Sequence, residues 1–351
     1  MRIVNQLPLP KSISIWWNFG RLLGISIVIQ IVSGVILAII YRGGEIGFDS
    51  LIHLIRDVPG GWIIRLIHCN GARIYFLLIF VHIGRALYYQ RFITQPKSFL
   101  VGSVMLIIRI GVAFLGYVLP WGQIRFWGAT VITNLLSAIP VVGTRLVNWV
   151  WGGFAVRGYT LTRFYVLHFL GPFLVAGLSL VHLFFLHYNG RTNPLGNLTH
   201  FRKITFHPYF SIKDSITWLI LLGLISYTVL FMGYDLIDPE NFIKANRIVT
   251  PAHIQPEWYF LFAYAILRRI PRKVGGVIGL VAAVGILFIL PLKSKKLNFP
   301  TSSDLRSQLT VFFLFVSFVL LTYLGAIPVE EPYILLRQIC GVIYFGLFII
   351  I

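Results

Sequence analysis

Four histidines stand inside apolar stretches of this chain, in two pairs with one spacing. His68 and His82 lie 14 residues apart, and so do His168 and His182. On an α-helix 14 residues advance about 21 Å and, at ~100° per residue, bring the side chain back to within about 40° of its start. Each stretch therefore presents two imidazoles on one face, one toward each end. A lone histidine in a membrane segment is more often a packed, hydrogen-bonded residue than a ligand. Ionisable groups there are nonetheless functional candidates, and two equally spaced pairs are hard to assign to packing. Zinc asks for three or four ligands, and neither pair is accompanied by a cysteine or carboxylate set. Two axial imidazoles on one iron describe a haem that carries electrons and leaves no open position. No Cys-x-x-Cys-His occurs, so such a haem is held non-covalently, as a b type.

Glycines and cations repeat the pattern. Gly20 and Gly34 are 14 residues apart, as are Gly102 and Gly116, and glycine lets a flat ring approach a helix backbone closely. Arg65 and Arg85 each stand three residues from a histidine of the first pair, within reach of haem propionates.

The elements that must position these residues are transmembrane helices. The 351 residues are 57% hydrophobic and only 12% charged, about half the charge of soluble domains. Apolar runs near 20 residues, enough to cross a bilayer core of about 30 Å, recur at Phe19–Ile40, Trp62–Tyr88, Leu100–Leu119, Arg163–Tyr188, Trp218–Met232, Val274–Leu292, Leu309–Ile327 and Tyr333–Ile351. The fold expected is an all-α polytopic membrane protein with eight transmembrane helices, the first four forming a dihaem four-helix bundle (1–200). The remaining four make a C-terminal region (201–351) entered through the polar linker 234–273. Two crossings separate the second span from the fourth, so they run in the same direction. His68 is then level with His168, and His82 with His182. Gly122–Gly158, rich in Gly, Trp and Asn, reads as short interfacial helices. The net charge of +19 is scattered through loops beside lipid headgroups and forms no stripe for nucleic acid. Two distant cysteines, Cys69 and Cys340, make no disulfide framework. The first 18 residues show no cleavable leader, which suits an inner-membrane protein.

Several motifs resemble one family over nearly the whole chain: Trp16-Trp17-Asn18-Phe19-Gly20, His68-Cys69-Asn70-Gly71-Ala72, Gly116 through Gln123 (Gly-Tyr-Val-Leu-Pro-Trp-Gly-Gln), Phe126 through Ile132, and Pro256-Glu257-Trp258-Tyr259. The chain is similar to cytochrome b, the mitochondrially encoded subunit of ubiquinol–cytochrome c reductase. The resemblance implies a multi-pass protein of the mitochondrial inner membrane. It implies a low-potential haem on His68/His168 and a high-potential haem on His82/His182, with Trp17 among the residues packed near them. It implies ubiquinol and ubiquinone as substrates, a homodimeric complex with a Rieske iron–sulfur protein, a cytochrome of c type and other subunits, and quinol oxidation coupled to a proton-motive force.

Glu257 lies in an aromatic run with Tyr259, Phe260 and Tyr264. A carboxylate in an apolar pocket can take a proton from a quinol hydroxyl; by itself a solvated loop glutamate is the simpler reading, and the family motif decides for chemistry. Glu257, Tyr259 and Tyr264 are thus the catalytic candidates, with Gly128, Ile132 and Pro256 lining the same pocket. On the other face His187, Lys213 and Asp214 lie level with the second haem and would deliver protons to a reduced quinone. A proton-coupled transporter and a dihaem membrane anchor are the rival classes. The first needs no 14-residue pairs, and the second has no Pro-Glu-Trp-Tyr linker.

Some residues depart from this picture. Arg21, Arg73, Arg125 and Arg191 stand where the family usually has a small residue, and Arg109 lies on the presumed haem-facing stripe. An arginine at mid-membrane costs roughly 2.5–3.5 kcal/mol unless it snorkels or pairs, and no acid lies within the second or third span. The chain also holds 47 Ile and three Met, with Ile67 and Ile124 at places where relatives often have Met. Some mitochondrial genetic codes read AGA/AGG as serine and AUA as methionine, which would account for both departures.

Overall fold

The computed structural model describes residues 8–188, 193–194, 203–292 and 304–351. In chain order the helices are α1 (Phe19–Ile40), the short α2 (Gly47–Arg56), α3 (Gly61–Tyr88), α4 (Pro96–Val118), the short α5 (Gln123–Asn134) and α6 (Gly143–Trp151), α7 (Gly158–Tyr188), α8 (Tyr209–Phe231), α9 (Leu261–Arg269), α10 (Lys273–Gly285), α11 (Leu305–Ala326) and α12 (Tyr333–Ile350). Two three-residue strands, β1 (Pro8–Pro10) and β2 (Lys203–Thr205), pair antiparallel with Leu9 opposite Ile204.

Among the described residues seven helices (α1, α3, α4, α7, α8, α11 and α12) are long and apolar enough to cross a membrane. The sixth expected span is shorter. Its apolar helix runs over Lys273–Phe288, about 24 Å at ~1.5 Å per residue. Glycines account for its close packing: a Cβ on Gly276 would lie 2.8 Å from the Leu267 carbonyl oxygen, and one on Gly279 3.2 Å from Ile266. Thus α10 nests on α9 within the structure. Helix α8 begins at Tyr209, well before the apolar run at Trp218. Its polar first turns are satisfied by tertiary contacts. Lys213 Nζ donates to the Ile13 carbonyl at 2.9 Å, and Leu9, Ile13, Trp17 and Phe210 form a small apolar cluster. Gly122–Gly158 holds α5 and α6, the short helices expected there.

Helix α1 packs on α3, α4 on α7, and α1 also touches α7; α9 packs on α10, α11 and α12. Helix α3 joins the two groups, because it also meets α8 and α11. One apolar cluster runs from Leu66, Phe76 and Ile79 of α3 to Tyr259 and Ile266, then to Leu314, Leu321 and Tyr344. Half of α3's apolar stretch is buried, against 6% for α7, and about half of α7's residues are exposed to whatever surrounds the protein.

The linker folds back over the start of α5. Gln123 N–H donates to the Ile243 carbonyl at 3.0 Å and Ala245 N–H to the Trp121 carbonyl at 3.2 Å. The Gln123 amide accepts from Asn246 N–H at 2.7 Å. Gly122 is the close approach: a Cβ there would sit 2.5 Å from the Asn241 carbonyl oxygen. Trp121 before it has φ +56°, a left-handed conformation that non-glycine residues adopt rarely. Two exposed ion pairs add to the seam, Lys244–Asp49 at 2.6 Å and Arg247–Glu45 at 2.5 Å.

Candidate functional site

Each glycine of the two pairs faces one imidazole. A Cβ on Gly116 would lie 2.2 Å from His168 Cε1, on Gly34 2.9 Å from His68 Cε1, on Gly20 3.1 Å from His82 Cε1 and on Gly102 3.3 Å from His182 Cε1. The rings therefore occupy space that a side chain on α1 or α4 would fill. His68 and His168 come together with ring centres 6.1 Å apart, at 87° to each other. A metal–nitrogen bond of about 2.0 Å plus a ring radius of about 1.1 Å on each side puts two axial imidazole centres roughly 6.2 Å apart. The observed spacing fits one iron between them.

The other ring nitrogens have partners that the sequence did not announce. His168 Nδ1 donates to the Val112 carbonyl at 2.8 Å, which leaves Nε2 with the lone pair a metal takes. His68 Nδ1 lies 3.0 Å from Ser33 Oγ, His182 Nδ1 3.4 Å from Ser98 Oγ, and His82 Nδ1 3.4 Å from Arg85 Nη2. Ser98 precedes Gly102 by one helical turn, a signal that could have been read. The Val112 partner is a backbone carbonyl and leaves none. Pro172, inside α7, cannot donate to the carbonyl of His168 one turn earlier, and it lines the cavities at that level.

Both histidines of each level line common space. His82 and His182 face a cavity of about 440 Å³ with Gly20, Gly102, Arg85 and Arg91, within the range of cofactor sites. His68 and His168 face two cavities of about 140 Å³ each. Arg65, Arg85 and Arg91 each bury a guanidinium nitrogen with no hydrogen-bond partner among the described residues. Trp17 supports the lower two, with Arg85 5.2 Å and Arg91 5.5 Å from its ring centre. Two imidazoles, close glycine backbone and unpartnered cations suit a porphyrin with anionic side arms. Among the described residues no three His, Cys, Asp or Glu cluster as a self-sufficient metal site, so the remaining donors must come with the iron.

The linker brings Glu257 to the upper level. Glu257 and Tyr259 line the cavity that His68, His168 and Gly116 also line. Aromatic stacking sets this position: Tyr259 lies flat on Phe76 of α3, centres 4.1 Å apart and planes at 6°, and Trp258 meets Phe80 edge-on at 6.1 Å. The Tyr264 hydroxyl donates to the Ile254 carbonyl at 3.4 Å, closing the loop around half-buried Pro256. Gly128 and Ile132 are half-buried on α5, and open space surrounds Gly128.

The Glu257 carboxylate does not stand alone in apolar surroundings. Arg73 Nε donates to Oε2 at 2.9 Å and Nη2 to Oε1 at 2.8 Å, with the two side chains 7% and 11% exposed. Losing one partner of such a buried pair costs about 3–5 kcal/mol. The acid missing from the spans comes from the linker, and Arg73 pairs instead of snorkelling. At the lower face Arg21 pairs with Asp214 through Oδ2 alone, with that residue 2% exposed and its Oδ1 buried without a partner among the described residues. Lys213 is beside it, held by Ile13 as described above. His187 is exposed in the last turn of α7, below His182. The guanidinium groups of Arg109 and Arg125 lie over the rings of Tyr75 at 5.4 Å and Tyr117 at 4.8 Å, and Nε of each is buried without a partner among the described residues. Arg191 lies outside the described residues.

Comparison with known proteins bears on both halves of the chain. Residues 4–190 match the family model described as cytochrome b/b6/petB, and residues 244–345 the one described as cytochrome b(C-terminal)/b6/petD. A curated cytochrome b from Albinaria caerulea is 52% identical over 347 residues, 99% of this chain and 95% of the relative. A chain of a hyperthermophilic respiratory Complex III superposes with a TM-score of 0.93 at 28% identity, covering 97% of this chain and 91% of that one.

Proposed function

The chain belongs to the cytochrome b family, the haem-b-binding membrane subunit of quinol–cytochrome c reductases, and on that premise we propose that it binds two b haems, one at His68/His168 and one at His82/His182. The observation that carries the proposal is the matched geometry of imidazole and glycine at both levels: four rings, each in the space of a missing Cβ. When bound, the two haems supply a one-electron route between the membrane faces. The residues of this chain do the rest. His168 is oriented by the Val112 carbonyl, Arg65 faces the upper cavity, and Arg85 and Arg91 beside Trp17 face the lower one, where they neutralise propionates.

Quinol is oxidised at the upper level, where Glu257 accepts a hydroxyl proton on a carboxylate oxygen. Tyr259, Tyr264, Pro256, Gly128 and Ile132 shape that pocket. Quinone is reduced at the lower level, where Asp214, Lys213 and His187 supply protons from the surface. Ubiquinone is the quinone we propose, and the mitochondrial inner membrane the location. The second electron of each quinol leaves through a Rieske iron–sulfur protein toward a cytochrome of c type, within a dimeric assembly whose other surfaces meet further subunits and lipid. Residues 1–200 form the dihaem half, and residues 201–351 the half that carries the quinol-site linker.

The experiment is the substitution Glu257→Gln in the assembled complex. Removing a general base slows its step by about 10²–10⁴-fold, so quinol oxidation should fall by at least ~100-fold while both haems remain. Unchanged turnover with quinol would remove Glu257 from the chemistry.

A further inference from the structure

Each long helix of the dihaem half places one residue halfway between its two levels. Seven residues from either member of a glycine or histidine pair, α1 carries Ile27, α3 Tyr75, α4 Arg109 and α7 Val175. Seven residues advance about 10.5 Å along a helix and return to within about 20° of the same face. Arg109 is the one charge in this middle layer. It lines an upper cavity with His68, His168 and Glu257, and the lower cavity with His82 and His182. Among the described residues Ile27 is the only other one to line both.

No acid pairs with this guanidinium among the described residues. Glu257, on the same upper cavity, gives both oxygens to Arg73, and Asp214 pairs with Arg21. The Arg109 guanidinium lies 5.4 Å from the centre of the Tyr75 ring, and its Nε is buried without a partner among the described residues. A buried charge of this kind is screened far less than one at a surface. An iron porphyrin with two neutral axial imidazoles bears one positive charge more when oxidised than when reduced, so a fixed cation near it favours the reduced form. Of the four imidazoles, the Arg109 charge acts on His82 and His182, the lower pair.

We propose that Arg109 is a fixed mid-membrane charge that raises the reduction potential of the lower haem site more than that of the upper one, and so directs electrons from the level of Glu257 to the level of Asp214. The proposal rests on the two-haem function above. At an axial offset of about 10 Å and an effective dielectric constant of about 20, a unit charge shifts a one-electron equilibrium on the order of tenfold, which is about 59 mV.

The test is a redox titration of both b components in the assembled complex, for the parent and for R109Q, R109M and R109K. Glutamine and methionine remove the charge and keep an unbranched side chain, and lysine keeps the charge. In R109Q and R109M the component that His82→Ala removes should become about tenfold harder to reduce, the other component should move less, and R109K should stay close to the parent. Unmoved potentials in the neutral variants, a larger fall in the upper component, or a fall in R109K equal to that in R109Q overturns the proposal. Loss of haem from both neutral variants overturns it too, because Arg109 then serves assembly, and so does a peptide of the parent that reads any residue but arginine at 109. A parent without two b haems rejects the function on which the proposal rests, whereas two haems with unmoved potentials reject the proposal alone.

Discussion

A single methyl group distinguishes the four imidazole seats. The clearance available to a Cβ grows from 2.2 Å at Gly116 through 2.9 Å at Gly34 and 3.1 Å at Gly20 to 3.3 Å at Gly102. Contacts under 3.0 Å force the ring to move, whereas the longer ones ask for a few tenths of an ångström. Gly116→Ala and Gly34→Ala are therefore expected to abolish the upper haem, Gly20→Ala and Gly102→Ala to weaken the lower one, and Gly128→Ala, with open space around it, to change neither. Haem-to-protein ratios across the five variants check the order. At this scale the sequence is informative where position along one helix carries phase, as the 14-residue spacings do. It is silent where partners come from far away: Arg73 and Glu257 are 184 residues apart, and no spacing rule connects a span to a linker. The carboxylate was expected in apolar surroundings because only its own neighbours could be read.

At the scale of elements, the linker is ordered because it pairs with the α4–α5 junction, and Glu45 is one of its fasteners. Partial burial works against its charge, but the Gly158 N–H and Arg247 hold its carboxyl below the ordinary range. A carboxyl with a lowered folded-state pKa contributes stability above its unfolded value and loses it as the pH falls through the folded one. The protection factors of the Gly158 amide and of the amides of residues 243–247, exchange measured against the intrinsic rate at each pH, should therefore fall on acidification below about pH 4.5, and Glu45→Gln should show the lower protection already at neutral pH. Exchange in the variant that matches the parent at both pH values would exclude Glu45 from the seam. Hydropathy gave the long helices to within a few residues at most ends, since each apolar run must span the bilayer. It misplaced the start of α8, where Lys213 and Asp214 are satisfied by the N-terminal segment, and it overstated α10, whose glycines serve contact with α9 more than length.

Across the whole molecule, α3 is the shared wall. It carries one histidine of each pair and places Phe76 and Phe80 against the linker aromatics, so the electron-carrying and quinol-binding regions are held in register by one helix. The opposite histidines ride on α7, which is seldom fully buried along its apolar length and packs chiefly on α4. Helix direction and register alone then decide which imidazoles meet, and this pairing is the central claim. The most direct measurement is the reduced-minus-oxidised optical spectrum of the complex, with redox titration, for each of the four single His→Ala variants beside the parent. Two b haems per chain are predicted in the parent, with His68→Ala and His168→Ala losing one and the same component and His82→Ala and His182→Ala losing the other. A parent with one haem or none, or a variant that loses the component of the other pair, would contradict the account.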